Sequence, residues 1–323
     1  MSTPADLVEL TRGDRRECLH RGHAVITDAS GAVIEAWGDA YRVIYPRSSA
    51  KPIQALPLAE ALPDLPTRRL ALACASHEAA RDHTDLAADW LAAMDHTPEA
   101  LICGPEEPRD RAARDALIRA HGDPERLHNN CSGKHTGFLQ LARHLGAGPD
   151  YCDPGHPVQR EVRAALEDLC GEPSPGYGID GCSAPNFAVS LRGLARAMAR
   201  FATASGTEGR EGAIVRIREA MIAHPDLVAG EGRACTELMR ACGGRAAIKG
   251  GAEGVNVAIL PGLGLGVALK IEDGAARASE CTLAALLVRL GVADPTHPAV
   301  AARLSPDLRN RAGVAVGQMR SLI

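Results

Sequence analysis

Strand-like segments lie near both ends of this chain, whereas its long middle part carries helical patterns. Apolar alternation predicts strands at 23–27, 32–37, 41–45, 245–249, 255–260 and 264–271. A 3.6-residue apolar period predicts helices at 85–94, 112–120, 137–145, 158–169, 188–202, 213–222 and 275–290. One antiparallel sheet built from both ends, with a helical region inserted between them, satisfies this order. The sequence therefore predicts a mixed α/β (α+β) fold.

The same order predicts a single domain with two subdomains. The sheet subdomain would comprise residues 1–66 and 244–323 approximately, and the helical subdomain residues 67–243. Asp28–Gly31 lies between two strand patterns and predicts a hairpin turn. No internal repeat or long linker separates the two parts, so we expect the active cleft where sheet and helices meet.

Composition narrows the classes of partner. The chain has 323 residues, of which 46% are hydrophobic and 24% charged, values typical of a globular protein with a large core. A net charge of -4 provides no basic field for nucleic acid, and no apolar run reaches membrane-spanning length. The polar N-terminal segment does not resemble a signal peptide, and the ten cysteines lack tight spacing, so we expect a cytoplasmic protein with reduced thiols.

Ser48 and Lys51 form a Ser-x-x-Lys motif at a predicted strand-to-helix junction. Residues three apart share one face of a helix, so the amine of Lys51 can reach the hydroxyl of Ser48. A serine nucleophile with a lysine base requires this arrangement. The alternative is a helix cap followed by a solvated lysine.

Four polar segments interrupt otherwise apolar sequence farther along the chain. Ser76 follows an alanine-rich helix and is either a second active-site hydroxyl or a cap. The segment His128–Gly137 contains Cys131 and Lys134 directly before a helix, where a nearby cation would lower the pKa of the thiol. Such a dense polar cluster is costly to bury unless its members have partners.

The remaining two segments are short turns. Asp180 lies two residues before Cys182 in a glycine-containing turn, where its carboxylate could hold an ammonium group or simply form the turn. Cys131 and Cys182 are soft ligands of the kind that zinc prefers, although their spacing alone defines no metal site. Lys249 ends a predicted strand and is either a base facing a cleft or a charge that protects a sheet edge.

Taken in order, these motifs resemble those of the rhizobial-type L-asparaginases, also called the asparaginase II or thermolabile family. The matching segments are Arg47-Ser-Ser-Ala-Lys-Pro, Cys74-Ala-Ser-His, Asn130-Cys-Ser-Gly-Lys-His, Asp180-Gly-Cys-Ser-Ala-Pro and Lys249-Gly-Gly-Ala-Glu-Gly. The resemblance runs from about residue 20 to 290. It implies an architecture similar to the serine β-lactamase and glutaminase superfamily.

The resemblance also implies roles for individual residues. Two Ser/Lys pairs would carry catalysis, Ser48 with Lys51 and Ser76 with Lys249. Cys131, Lys134 and Cys182 would bind a zinc ion (Zn2+) beside the substrate, L-asparagine. Asp180 would lie near the substrate's amino group, and Arg47 could hold its α-carboxylate. The family further implies a homodimer.

Two other functions fit parts of this pattern. A β-lactamase-like or glutaminase-like amide hydrolase would use the same Ser/Lys chemistry on another amide, and hydrolysis of a chromogenic β-lactam would favour a cyclic one. A non-catalytic zinc or amino-acid binding module would keep the scaffold but would not need a nucleophile. Binding without release of ammonia would favour that module.

Overall fold

The computed structural model describes residues 3–323. The strands are β1 (Ala5–Arg12), β2 (Arg15–Thr27), β3 (Val33–Trp37), β4 (Val43–Ile44), β5 (Tyr177–Ile179), β6 (Pro185–Phe187), β7 (Val189–Ser190), β8 (Ala247–Gly251), β9 (Val255–Leu260), β10 (Leu265–Ile271), β11 (Asp307–Arg309) and β12 (Ala315–Ser321). The helices are α1 (Lys51–Gln54), α2 (Leu56–Ala61), α3 (Thr67–Ala73), α4 (Arg81–Ala92), α5 (Arg111–Arg119), α6 (Ser132–His144), α7 (Pro157–Cys170), α8 (Leu191–Thr203), α9 (Gly209–Ala223), α10 (Pro225–Val228), α11 (Ala234–Ala241), α12 (Ala276–Arg289) and α13 (Pro298–Leu304). Short 3₁₀ helices lie at Arg47–Ala50, Pro98–Ala100, Arg126–His128 and Pro261–Leu263.

The largest sheet joins strands from both ends of the chain. Its strand order is β11-β12-β1-β2-β10-β9-β8, and β3 pairs with β2 beside this path. All of these pairings are antiparallel. The predicted antiparallel sheet from N-terminal and C-terminal strands is therefore confirmed, as is the hairpin whose turn lies at Asp28–Gly31.

The described residues form two compact units. The first contains residues 3–49, 189–203 and 237–323, and so includes the large sheet. Helix α8 packs against β2, β9 and β10. Gly266 permits this close packing, because a Cβ atom at that position would lie 2.0 Å from the backbone oxygen of Ala195.

The second unit contains residues 50–188 and 204–236 and is mainly helical. Helix α9 packs against α2 and α3, while α6 packs against α2, α3 and α4. Trp90 of α4 is fully buried, and its indole nitrogen donates a hydrogen bond to Gln140 of α6. Among residues 3–323, no helix is both long enough and apolar enough to span a membrane.

The predicted helices and inner strands agree closely with the observed elements, but several short or edge elements were not predicted. The segment 41–45 contributes only Val43 and Ile44 as a strand, paired with β7. Strands β1 and β12 at the chain ends were missed because neither shows apolar alternation: β1 buries four consecutive residues, one of them Glu9, and β12 has one buried side chain, Met319. The sheet-containing unit also takes in residues 189–203, which the predicted division had assigned to the helical part.

Three histidines of the second unit are buried: His77, His83 and His135. Burial lowers the pKa of each, and it is the main cause in all three cases. His77 accepts a hydrogen bond from the backbone nitrogen of Ala79, which leaves its Nε2–H to donate to Ser132 Oγ at 2.9 Å. The ring of His83 stacks on that of His77 with centroids 4.8 Å apart.

These histidines make stability depend on pH. In the unfolded chain a histidine takes up a proton below about pH 6.5, whereas the buried rings stay neutral until lower pH. The free energy of unfolding should therefore be greatest above this pH and fall as the pH decreases. Between about pH 7.5 and 5.5, we expect His83→Gln to lose less stability than the wild type in urea unfolding, because the variant lacks a histidine that binds a proton more readily in the unfolded chain.

The matched control is His144→Gln, because His144 is exposed on α6. That variant should show the same pH dependence as the wild type. If the free energy of unfolding changed equally with pH in the wild type and in His83→Gln, His83 would not be a source of the pH dependence.

Candidate active site

Lys51 is the first residue of α1 and has only 1% of its surface exposed. Its Nζ donates to the backbone oxygen of Ala75, to Ser76 Oγ at 3.1 Å and to Cys131 Sγ at 3.1 Å. The Ala75 carbonyl is available because α3 ends two residues earlier and leaves its last carbonyls without helical partners. One buried amine thus contacts two of the segments that the sequence singled out.

Ser76 lies in an extended segment that is bonded on both sides. Its backbone nitrogen donates to the oxygen of Val228 at 2.9 Å, and the nitrogen of His77 donates to the oxygen of Asn130 at 3.1 Å. These bonds fix the half-buried Ser76 side chain beside Lys51. The contact between Lys51 and Ser76 was not among the pairs implied by the resemblance, which paired Lys51 with Ser48 and Ser76 with Lys249.

Ser48 lies in the 3₁₀ helix Arg47–Ala50 and is half-buried. The next residue, Ser49, is fully buried, and its backbone nitrogen and Oγ both donate to the oxygen of Pro46, at 3.2 and 2.6 Å. Arg47 has a φ of 54°, a left-handed conformation that costs a non-glycine residue roughly 1–2 kcal/mol. The turn is therefore held by specific contacts rather than by backbone preference.

Strand β8 approaches this turn very closely within the same unit. A Cβ atom at Gly251 would lie 2.8 Å from the oxygen of Pro46 and 3.1 Å from the nitrogen of Ser49. Lys249 of the same strand is 2% exposed, and its Nζ donates to the oxygen of Gly250 at 2.6 Å. The Lys249-Gly-Gly motif thus combines a buried amine with the backbone clearance that the Ser48 turn requires.

The side chain of Arg47 also lies near Glu253, which follows β8. Its Nη1 lies 3.9 Å from Glu253 Oε1, and the arginine side chain is 27% exposed. Glu253 adopts a left-handed φ of 59°.

The second cluster comprises Cys131, Lys134 and Cys182. Cys131 precedes α6, Lys134 lies in the first turn of that helix, and Cys182 lies between β5 and β6. Lys134 Nζ donates to Cys182 Sγ at 3.0 Å. Both sulfur atoms are nearly buried, with 5% of each cysteine exposed.

The close contact of the two thiols and the lysine amine shifts the pKa of all three groups. A hydrogen bond from Cys131 lowers the pKa of Cys182 to about 4, with further help from Lys134, while burial opposes the shift. The same hydrogen bond and burial raise the pKa of Cys131 to about 12. Burial opposes the charge on Lys134, but Cys182 and Cys131 raise the pKa of its ammonium group above the usual value. Near neutral pH, Cys182 is therefore a thiolate beside an ammonium group and a thiol.

Asp180 lies in the turn next to Cys182. Its backbone nitrogen donates to the oxygen of Ala184 at 2.9 Å, and its Oδ1 accepts from the nitrogen of Gly181 at 2.7 Å. Its negative charge contributes to the raised pKa of Lys134. Asp180 is thus both a turn residue and a charge beside the cluster.

The donor set fits zinc through its two sulfur atoms. Thiolates are soft ligands that zinc prefers, and a lysine amine can serve only after it loses its proton. Within residues 3–323, no group of three or more His, Cys, Asp or Glu side chains is placed to hold a metal ion. A zinc ion here would therefore depend on Cys131, Cys182 and the amine of Lys134.

Other residues of the site were missed by sequence reasoning. Asn130 was seen only as part of a polar cluster, and its partner Glu106 gave no signal in the proline-flanked segment Pro105–Pro108. These contacts join segments about two dozen residues apart, and neither segment has an apolar period that would predict where it folds.

Comparisons with known proteins identify a sequence family and distant structures. The model of the family described as L-asparaginase II matches residues 8–321. No curated protein sequence matches the chain.

Among solved structures, the chain is similar to Mglu, with 15% identity, a TM-score of 0.46, and coverage of 84% of this chain and 67% of Mglu. The native form of Mglu gives 16% identity, a TM-score of 0.45, and coverage of 86% of this chain and 66% of Mglu. A β-lactamase from Mycobacterium bovis gives 12% identity, a TM-score of 0.36, and coverage of 83% of this chain and 94% of that protein. The chain spans between 60% and 67% of the length of the Mglu chains that head the comparison.

The close approach of β8 to the Ser48 turn generates a stability prediction. In Gly251→Ala the new methyl group must displace backbone atoms of Pro46 or Ser49, so we expect the free energy of unfolding to fall by about 1–3 kcal/mol. The control is Gly262→Ala, because a Cβ atom there has no neighbour within 4 Å. Urea unfolding of both variants measures the difference, and equal stabilities would contradict the packing.

The sulfur and amine cluster generates a metal-binding prediction. We expect purified protein to bind one zinc ion per chain, and Cys182→Ser to weaken zinc affinity at least about 100-fold, because serine lacks an ionised soft donor. Competition with a chromophoric chelator measures the affinity. Cys242→Ser serves as the control, since Cys242 is a buried thiol of the other unit. Unchanged affinity in Cys182→Ser would refute this metal site.

Proposed function

The chain belongs to the L-asparaginase II family, and from this premise we propose that it hydrolyses L-asparagine to L-aspartate and ammonia. The structural observation that supports the proposal best is the buried amine of Lys51, which contacts the hydroxyl of Ser76 at 3.1 Å. A lysine amine in contact with a serine hydroxyl can move a proton to or from it. Pure binding would not require such a pair.

In the proposed first step, Ser48 Oγ attacks the side-chain amide carbon of asparagine. Lys51, in its unprotonated form, accepts the hydroxyl proton as the C–O bond forms. The C–N bond then breaks, and the departing nitrogen takes a proton to leave as ammonia. The product of this step is a β-aspartyl ester on Ser48.

Ser76 is proposed to carry the proton between Lys51 and the leaving nitrogen. Its Oγ lies within hydrogen-bond distance of the Lys51 amine, so a proton on that amine can pass through the hydroxyl in a single exchange. In the second step the reverse transfer activates a water molecule, which attacks the ester carbon and releases aspartate. Lys249 would supply a second positive charge or base for these transfers.

Two further residues are proposed to recognise the amino-acid part of the substrate. Arg47 would pair with the α-carboxylate, for which its planar guanidinium group offers two parallel hydrogen bonds. Asp180 would pair with the α-ammonium group. When bound by Cys131, Lys134 and Cys182, zinc would supply a Lewis acid or an orienting charge beside the substrate. The homodimer and the cytoplasmic location stay predictions from the sequence.

The roles of the serines lead to a kinetic prediction. We expect Ser48→Ala to lower kcat for asparagine at least about 1,000-fold, because it removes the atom that forms the ester. Ser76→Ala should lower kcat by about 10²–10⁴, the usual contribution of proton transfer. Ammonia release by purified, folded protein measures both effects.

The matched control is Ser49→Ala. Ser49 is the neighbouring hydroxyl in the same turn, but it donates to the oxygen of Pro46, so its loss should cost stability rather than chemistry. Activity retained in Ser48→Ala would remove this serine as the nucleophile. Release of ammonia from glutamine alone, hydrolysis of a chromogenic β-lactam, or binding of asparagine without ammonia release would each refute the asparaginase proposal.

A further inference from the structure

Glu106 forms a set of hydrogen bonds beside the candidate active site. Its Oε2 accepts from the backbone nitrogen of Asn130 at 3.0 Å and from Asn130 Nδ2 at 2.8 Å. Its Oε1 accepts from Arg109 Nε at 3.0 Å and Nη2 at 2.7 Å. The carboxylate is 24% exposed. Each of its oxygens thus accepts two hydrogen bonds.

Asn130 in turn contacts the two groups of residues that the proposed chemistry needs. Its backbone oxygen accepts from the nitrogen of His77 at 3.1 Å, directly after Ser76. Its Oδ1 faces Cys131, at 3.1 Å from the Sγ atom. Asn130 therefore links the Ser76 segment to the Cys131 segment.

The carboxylate decides how the Asn130 amide is oriented. An amide group has one acceptor end and one donor end. Because Glu106 accepts from the NH2 end of Asn130, the carbonyl end must face Cys131. A side chain that offers no acceptor oxygen to Asn130 would remove this constraint.

We propose that Glu106 is a positioning residue for the reaction. It acts through Asn130 to hold the Ser76 and Cys131 side chains in their places. It does not touch the substrate. Outer hydrogen bonds of this kind set the geometry of catalytic and metal-binding side chains, and losing one typically costs about 10–100-fold in activity or metal affinity. The expected effect on kcat rests on the proposed function, whereas the expected effect on the hydrogen bonds around Asn130 does not.

Three variants test separately the roles of the two carboxylate oxygens of Glu106, one bound to Asn130 and the other to Arg109. Glu106→Ala removes all four hydrogen bonds. Glu106→Gln keeps one acceptor oxygen for Asn130 and places its amide nitrogen toward Arg109, which is 49% exposed and can turn to solvent. Arg109→Ala removes only the other partner of Glu106. If Glu106→Ala does not fold, Glu106→Asp keeps the charge but is one methylene too short to bind Asn130.

We expect Glu106→Ala to lower kcat for asparagine by about 10–100-fold with a change in KM below about threefold, and to weaken zinc affinity by a similar factor to kcat. Glu106→Gln should recover most of both quantities, and Arg109→Ala should resemble the wild type. A residue that only stabilises the fold would instead lower the thermal midpoint in all three variants and show no such rescue.

Amide hydrogen exchange tests the inference without using activity. In Glu106→Ala the backbone N–H groups of Asn130 and His77 should exchange faster, while Glu106→Gln keeps their protection. Unchanged exchange at both amides in Glu106→Ala would overturn the proposal. Faster exchange with unchanged kcat and zinc affinity would also overturn it. If the wild type releases no ammonia from any amide, the proposed function fails, and exchange together with zinc affinity then decides this inference alone.

Discussion

The buried amine of Lys51 is the constraint on which the site depends. A lysine with 1% of its surface exposed must have its donors satisfied, because an unpaired buried amine would cost several kcal/mol. Its acceptors come from Ala75, Ser76 and Cys131. The end of α3 and the start of α6 are therefore fixed beside the first residue of α1. The proposed chemistry would therefore use the same amine that organises the local fold.

A second amine organises the other half of the site in the same way. Lys134 donates to the Cys182 thiolate, and Cys131 lies between this ion pair and Lys51. The opposite charges of Lys134 and Cys182 lie in contact, which reduces the cost of burying each of them. The hydrogen bond from Cys131 and the charge of Lys134 both lower the pKa of Cys182. This arrangement explains why the motif combines cysteines with a lysine rather than with another acid.

Much of the fold was predictable from the sequence, because its inner strands and amphipathic helices have clear apolar periods. Strand β12 and short pairs such as β4–β7 were not predictable, since few side chains of β12 are buried and β4 and β7 are too short to show a period. At the site, the candidate residues were visible as polar interruptions. Their partners were not, because the contact of Lys51 with Ser76 and that of Glu106 with Asn130 depend on how loops fold in space.

Direct detection of the covalent intermediate tests the central proposal, that Ser48 is acylated by the substrate. The protein would be mixed with L-asparagine, quenched in acid within the first turnover, digested and analysed by mass spectrometry. The account requires a mass increase of one aspartyl group on the peptide that contains Ser48. An aspartyl group on the Ser76 peptide, or none on any peptide while ammonia is released at full rate, would contradict it.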